Sequence, residues 1–324
     1  MMNRALPYKT KQFFFVLIKL SIVIGAFYFI YNKVTSNPDL RFSDFVSILS
    51  KNRLFSLKNV SFLIVLSIFN WFFEIIKWQY LVDSVKKITF FEALKQSLGS
   101  LTASLLTPNR IGEYGAKALY YSSNYRKRIL LLNFIGNVLQ MSITVLFGVI
   151  AIYYFVTDYN IEFSPQKVVR FFLIIVIIFA FSVFGAKQKR FRIKGFSIKK
   201  IIEFIKNLPS KTKLLGFVFS LLRYLIFSFQ FYFLLHIFNV DIFYMDAMVL
   251  ISSLYLLASI IPSVFIFDVL IKGSVAVYIF SAYGVHEFTI LSIVLLMWIL
   301  NFVLPSLIGS FYVLTFKLPK NNAI

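Results

Sequence analysis

Long apolar stretches, nearly free of charge and closed by clusters of Lys, Arg, Asn, Pro or Ser, alternate along the whole chain. An uninterrupted run of roughly 20 such residues makes a helix long enough to cross the ~30 Å hydrocarbon layer of a bilayer. Six segments reach that length, at about 13–31, 60–82, 129–156, 168–186, 214–236 and 288–316, and each predicts a spanning helix. The first, within "KQFFFVLIKLSIVIGAFYFIY", is too long and too aromatic for a cleaved leader and lacks a small-residue cleavage site, so it predicts a retained helix.

Two further apolar stretches are interrupted. "ALKQSLGSLTASLLTPNRIGEYGAKALYYS" breaks at Thr107-Pro108-Asn109, and "AMVLISSLYLLASIIPSVFIFDVLIKGSVAVYIFSAYG" breaks at Pro262. Proline lacks a backbone donor, ends the preceding helix and fits the first turn of the next. Each stretch therefore predicts a helical hairpin.

Charge sets the direction of both. Residues 187–213 are dense in Lys and Arg against a single Glu, which places this loop in the cytoplasm. Counting from it puts Arg126, Lys127 and Arg128 inside, "FNVDIFYMD" outside and both termini in the cytoplasm. The count closes only if the first hairpin enters from the cytoplasm and returns to it, and the second does the same from outside. Laying Pro262 over Pro108 also sets "DAM" on "EAL" and the fourth span on the first. One inserted residue then brings Asp268 opposite Glu113 and Lys272 opposite Lys117. The expected fold class is an all-α polytopic membrane protein, six spanning helices plus two re-entrant helical hairpins arranged as two inverted repeats. The repeats cover about 1–156 and 168–316, joined through an external loop within a single integral membrane domain, residues 1–324. Such inverted repeats with broken helices are a transporter architecture.

Composition narrows the function. With 59% hydrophobic and 19% aromatic residues the chain is outside the range of soluble domains. Its formal charge of +21 sits in short segments between apolar runs, which argues for topology signals and against a nucleic-acid partner. There is no cysteine and there are only two histidines, His236 and His286, so no disulfide, metal or other cofactor is implied. "GEYGAK" lacks the spacing of a phosphate-binding loop, and no cluster suggests a nucleophile with its base; no catalytic residue is assigned.

Charges inside apolar hairpins are unfavourable enough to have a function by default. Arg110, Glu113 and Lys117 follow the first break, Asp268 and Lys272 the second, and Arg223 sits within a span. The start of a half-helix attracts anions, and a guanidinium presents a fork of donors to phosphate. These six are the candidate substrate-binding residues, with Pro108, Gly112, Gly115 and Pro262 shaping the breaks and the two glycines permitting close approach. The alternative is structural: Glu113 with Lys117 and Asp268 with Lys272 are spaced four apart, as fastening ion pairs are. Arg110 and Arg223 have the option of reaching a membrane surface instead of a cavity. Glu74 and Lys77 form a local pair or part of an interfacial belt, and Asn133, Asn137 and Gln140 make a polar stripe suited to joining helices.

"TPNRIGEYGAKAL" resembles the signature of the lysylphosphatidylglycerol synthase transmembrane family, also called flippase-like domain proteins. Pro108, Arg110, Gly112 and Glu113 match its first hairpin, while "IIPSVFIFDVLIKG" keeps Pro262 and Asp268 without the usual glycines. The resemblance implies a bacterial inner-membrane flippase-like protein without the soluble aminoacyltransferase domain, acting on a lipid made by a separate enzyme. The expected partner is a membrane lipid, an anionic or aminoacylated phospholipid or a polyprenyl phosphate, moved between leaflets through a midplane polar cavity. A membrane scaffold and a lipid-modifying enzyme are the competing readings.

Overall fold

The computed structural model describes residues 24, 28, 56–105, 107, 111–158, 198–260 and 268–319. The expected span at 168–186, most of that at 13–31, Pro108, Arg110 and Pro262 lie outside them, as does the side chain of Asp268. Every regular element among the described residues is helical. In chain order these are α1 (Leu57–Asp83), α2 (Phe90–Ser104), α3 (Gly112–Leu119), α4 (Ser123–Asp158) and α5 (Ile198–Asn207). There follow α6 (Ser210–Ile237), α7 (Tyr244–Ile260), α8 (Asp268–Ser281) and α9 (Glu287–Trp298), which continues through a π-helical turn (Ile299–Val303) into α10 (Leu304–Thr315). Four helices are long and apolar enough to cross a membrane: α1, α4, α6 and the composite Glu287–Thr315. They coincide with four of the six expected spans.

Local chemistry sets the ends. Ser56 caps α1, its hydroxyl accepting from the Asn59 N–H. At α2, Thr89 and Glu92 form a reciprocal capping box: the Glu92 carboxylate accepts from the Thr89 N–H at 2.7 Å and the Thr89 hydroxyl from the Glu92 N–H. α6 and α8 stop where the chain turns left-handed, at Asn239 (φ 55°) and Gly284 (φ 76°). α2 and α3 are short and pack on each other, as do α7 and α8.

The long helices α1 and α6 pack together at the centre. Around them, α2 runs along α10 and α7 runs along α4, while α3 lies beside α4 and α8 beside α9. Two apolar clusters result. One gathers Trp71, Ile75, Trp78, Leu101, Tyr121 and Leu132 from α1 to α4; the other gathers Phe231, Leu250, Phe280, Ile293 and Trp298 from α6 to α9.

The α2–α10 and α4–α7 seams are tight because each has a glycine at its contact. A Cβ on Gly309 of α10 would run into the carbonyl of Leu98 and the hydroxyl of Thr102, and one on Gly148 of α4 into Leu256 of α7. Across the first seam Thr102 Oγ1 donates to the Ser306 carbonyl at 2.8 Å. Gly112 makes a close approach as well, with a Cβ there meeting the Thr107 side chain at 2.7 Å. Gly115 does not: a Cβ there would meet nothing within 4 Å, so close packing is not its role. Gly309→Ala is therefore expected to destabilise the protein by about 1–3 kcal/mol, as overpacking does, while Gly115→Ala leaves it unchanged or firmer. Thermal melting of the two variants in the same detergent checks this; equal melting points would contradict the tight seam.

Candidate functional site

The first hairpin turns around Thr107. Its hydroxyl donates to the Ser104 carbonyl at 2.7 Å and accepts from the Gly112 N–H at 2.9 Å, tying the last turn of α2 to the first of α3. Helix termini leave such groups without intrahelical partners, so one side chain satisfies both ends of the break. α3 then carries Glu113 and Lys117 one turn apart on a buried face. Lys117 Nζ lies 2.8 Å from the Glu113 carboxylate, and it also donates to Asn133 Oδ1 of α4 at 2.8 Å. Its ammonium sits 4.2 Å from the Trp78 ring centroid, in cation–π geometry. Trp78 and Tyr121 in turn both donate to Gln96 Oε1, at 2.8 and 2.7 Å. The hairpin is thus pinned to α1 and α4 by polar contacts as well as by packing.

A second group of charges runs along α1. Ser67, Asn70, Glu74 and Lys77 recur at intervals of three and four residues, which puts them on one face of the helix, and all four are buried. Glu74 Oε2 is the focus, 2.6 Å from Lys77 Nζ and 2.6 Å from Arg223 Nη1 of α6. Arg223 Nε donates to Asn70 Oδ1 at 3.1 Å. The hairpin pair meets the same helix, since Trp78, against which Lys117 lies, follows Lys77 directly on α1. Gly136 of α4 passes Lys77 closely, a Cβ there lying 4.0 Å from Lys77 Cε.

From Asn70 the row continues without a charge. Asn70 Nδ2 donates to Asn301 Oδ1 at 2.8 Å, Asn301 Nδ2 donates to Gln230 Oε1 at 2.8 Å, and Gln230 Nε2 donates to Ser67 Oγ and the Leu63 carbonyl. Asn301 occupies the middle of the π-helical turn, a distortion that recurs at functional sites. The cause is local. Pro305 has no N–H to give to the carbonyl four residues back, that of Asn301, and the Trp71 indole donates to it instead at 3.0 Å.

Together the two groups are unbalanced in composition. Among the described residues three basic side chains, Lys77, Lys117 and Arg223, face the two carboxylates of Glu74 and Glu113, one more base than acid in an interior where Lys77 and Lys117 are each only 2% exposed. Asn133 Nδ2, beside Lys117, is buried with no acceptor among the described residues. Buried donors are normally satisfied, so a cation and a free amide donor side by side are suited to an oxygen-rich anion. The described residues hold no group of His, Cys, Asp and Glu arranged for a metal ion.

Against the sequence-based expectations, Glu113, Lys117 and Arg223 come together in this interior, and Glu74 and Lys77 join them as more than a local pair. Lys272 of α8 lies 5.6 Å from the ring centroid of Phe302, the residue after Asn301 in the π-helical turn. The Asn133, Asn137 and Gln140 stripe links α4 to Lys117, to the Tyr114 hydroxyl and to the Ser220 carbonyl. His236 and His286 are exposed, the latter capping α9. Sequence reasoning passed over Asn70, Gln230 and Asn301. The one local signal that could have found that turn is Pro305, four residues after Asn301.

No curated protein sequence matches the chain. The lysylphosphatidylglycerol synthase TM region matches over residues 16–309. That match is to the membrane part of the synthase, and it carries a general flippase-like role in a bacterial membrane. Covering most of the chain and all of the helices around the charged group, it establishes that the protein belongs to the lysylphosphatidylglycerol synthase TM region family.

Proposed function

We propose that the protein translocates an anionic or aminoacylated phospholipid between leaflets, its head group passing the charged interior formed by α1, α3, α4 and α6. The observation that carries this is the excess of basic over acidic side chains in that interior, next to an Asn133 amide nitrogen with no acceptor, both among the described residues. Burying charge without compensation is costly, and a phosphate supplies negative charge. From the sequence, Arg110, which precedes α3, is proposed as a further phosphate ligand, and Asp268 and Lys272 are proposed to act from the second hairpin. A polyprenyl phosphate shares the head-group chemistry and is an alternative cargo. Moving one negative charge outward across an inside-negative membrane gains about 2.3 kcal/mol per 100 mV, so the potential alone can drive export of such a lipid.

The reading extends to the architecture. We infer six spans and two re-entrant hairpins in two inverted repeats, about 1–156 and 168–316, within a single membrane domain. The pairing of helices supports it. α2 packs on the last helix of the other half, α7 on the last helix of the first half, and α1 meets α6, its own counterpart. The glycine contacts follow the same exchange, Gly309 at Leu98 and Gly148 at Leu256. Single cysteines introduced at Phe91 and Asn124, on a chain that has none of its own, are expected to be labelled from the same side of sealed vesicles. Labelling from opposite sides would remove the first hairpin and with it the repeat.

Transport is tested by exchanging the hairpin charges. The double variant Glu113→Lys, Lys117→Glu keeps an ion pair four residues apart but moves the cation by one turn, away from Asn133. If the pair serves only to fasten helices, function survives. If Lys117 meets a head group, translocation of fluorescent phosphatidylglycerol in reconstituted vesicles falls by about tenfold or more with folding retained, the loss of one charge-assisted hydrogen bond. Running polyprenyl phosphate in parallel decides between the two cargoes.

A further inference from the structure

Away from the charged interior, a cavity of about 390 Å³ opens at the end of the α2–α10 seam. Lys95 of α2 and Lys317, just past α10, line it together with Tyr120, Phe311 and Phe316, and its lining includes no carboxylate among the described residues. We propose that this cavity docks the anionic head group of a membrane phospholipid, the phosphate between Lys95 and Lys317 and the acyl chains along α10.

Its wall is built. The Tyr120 hydroxyl donates to the Lys95 carbonyl at 3.2 Å, and its ring meets Phe316 edge-on with centroids 4.7 Å apart. These contacts hold the end of α3, the first turns of α2 and the segment after α10 around one space. Both lysines line the cavity and are exposed, and two ammonium groups on one cavity suit an oxygen-rich anion. Aromatic rings beside lysines are also what the membrane–water boundary favours.

The surroundings select a lipid over a soluble anion. Leu304, Leu307, Ile308, Phe311 and Leu314 of α10 are all exposed, and their spacing of three and four residues makes one continuous apolar face. That face begins at the cavity, through Phe311, and runs back along the helix. A head group seated between the lysines has its chains delivered onto this surface, whereas free phosphate would leave it unused. The row from Gln230 to Lys117 does not reach the cavity, so the site stands independently of the transport reading and is read by binding alone.

Native mass spectrometry of the purified protein with palmitoyl-oleoyl phosphatidylglycerol or phosphatidylcholine tests it. The expected result is preferential retention of phosphatidylglycerol. The double variant Lys95→Gln, Lys317→Gln should lose that preference by about tenfold, as two interfacial lysines imply, and Lys95→Arg, Lys317→Arg should keep it. Unchanged retention by the Gln variant would overturn the proposal. So would displacement of the lipid by millimolar inorganic phosphate, which would make the cavity a site for a free anion. Identical elution and melting of the Gln and Arg variants ensures that a difference between them reports on charge and not on folding.

Discussion

One carboxylate holds the centre of this protein together. Glu74 bonds Lys77 on its own helix and Arg223 on α6, each at 2.6 Å, at the contact between the two helices around which the others are arranged. In a low-dielectric interior neither cation is tolerable alone, and removing one member of such a group typically costs about 3–5 kcal/mol because the rest is left buried and uncompensated. α1 and α6 are therefore held in one register by charge where apolar surfaces facing lipid would hold them only weakly. Asn70, Asn301 and Gln230 extend the same clasp to the composite helix, and Trp78, next to Lys77 on α1, meets Lys117 of the first hairpin.

This arrangement separates two tasks. Glu74 is saturated by its two cations and reads as structural. Lys117 has one carboxylate, one amide oxygen and one indole face, and beside it is a buried amide nitrogen without an acceptor among the described residues. The part of the group nearest the hairpin break is thus the part with capacity for a further oxygen ligand. α2 and α3 are short, Thr107 bonds to both, and α2 packs on α10 at Gly309, so the charges of α3 sit on helices held by several contacts.

What could be read in the sequence follows from how local each signal is. Long apolar runs declare α1, α4, α6 and the Glu287–Thr315 helix, because a spanning helix must satisfy its backbone within itself and so writes its length into consecutive residues. Glu113 with Lys117 is legible for the same reason, being one turn apart. Arg223 was recognisable as a charge out of place, yet its partner Glu74 lies 149 residues away and no spacing rule links them. Asn70, Gln230 and Asn301 were hidden more thoroughly. Each is a single neutral side chain in an apolar helix, without periodicity, and each gains its meaning only from a contact made across the fold.

The central claim is that a buried basic interior recognises the negative charge of a lipid head group. It is tested most directly in vesicles containing the purified protein and equal amounts of labelled phosphatidylglycerol and phosphatidylcholine, with the appearance of each lipid in the opposite leaflet followed by quenching. The account predicts that phosphatidylglycerol crosses about tenfold faster than phosphatidylcholine, the selectivity of one charge-assisted contact. Equal rates for the two lipids, or no protein-dependent movement of either, would contradict it.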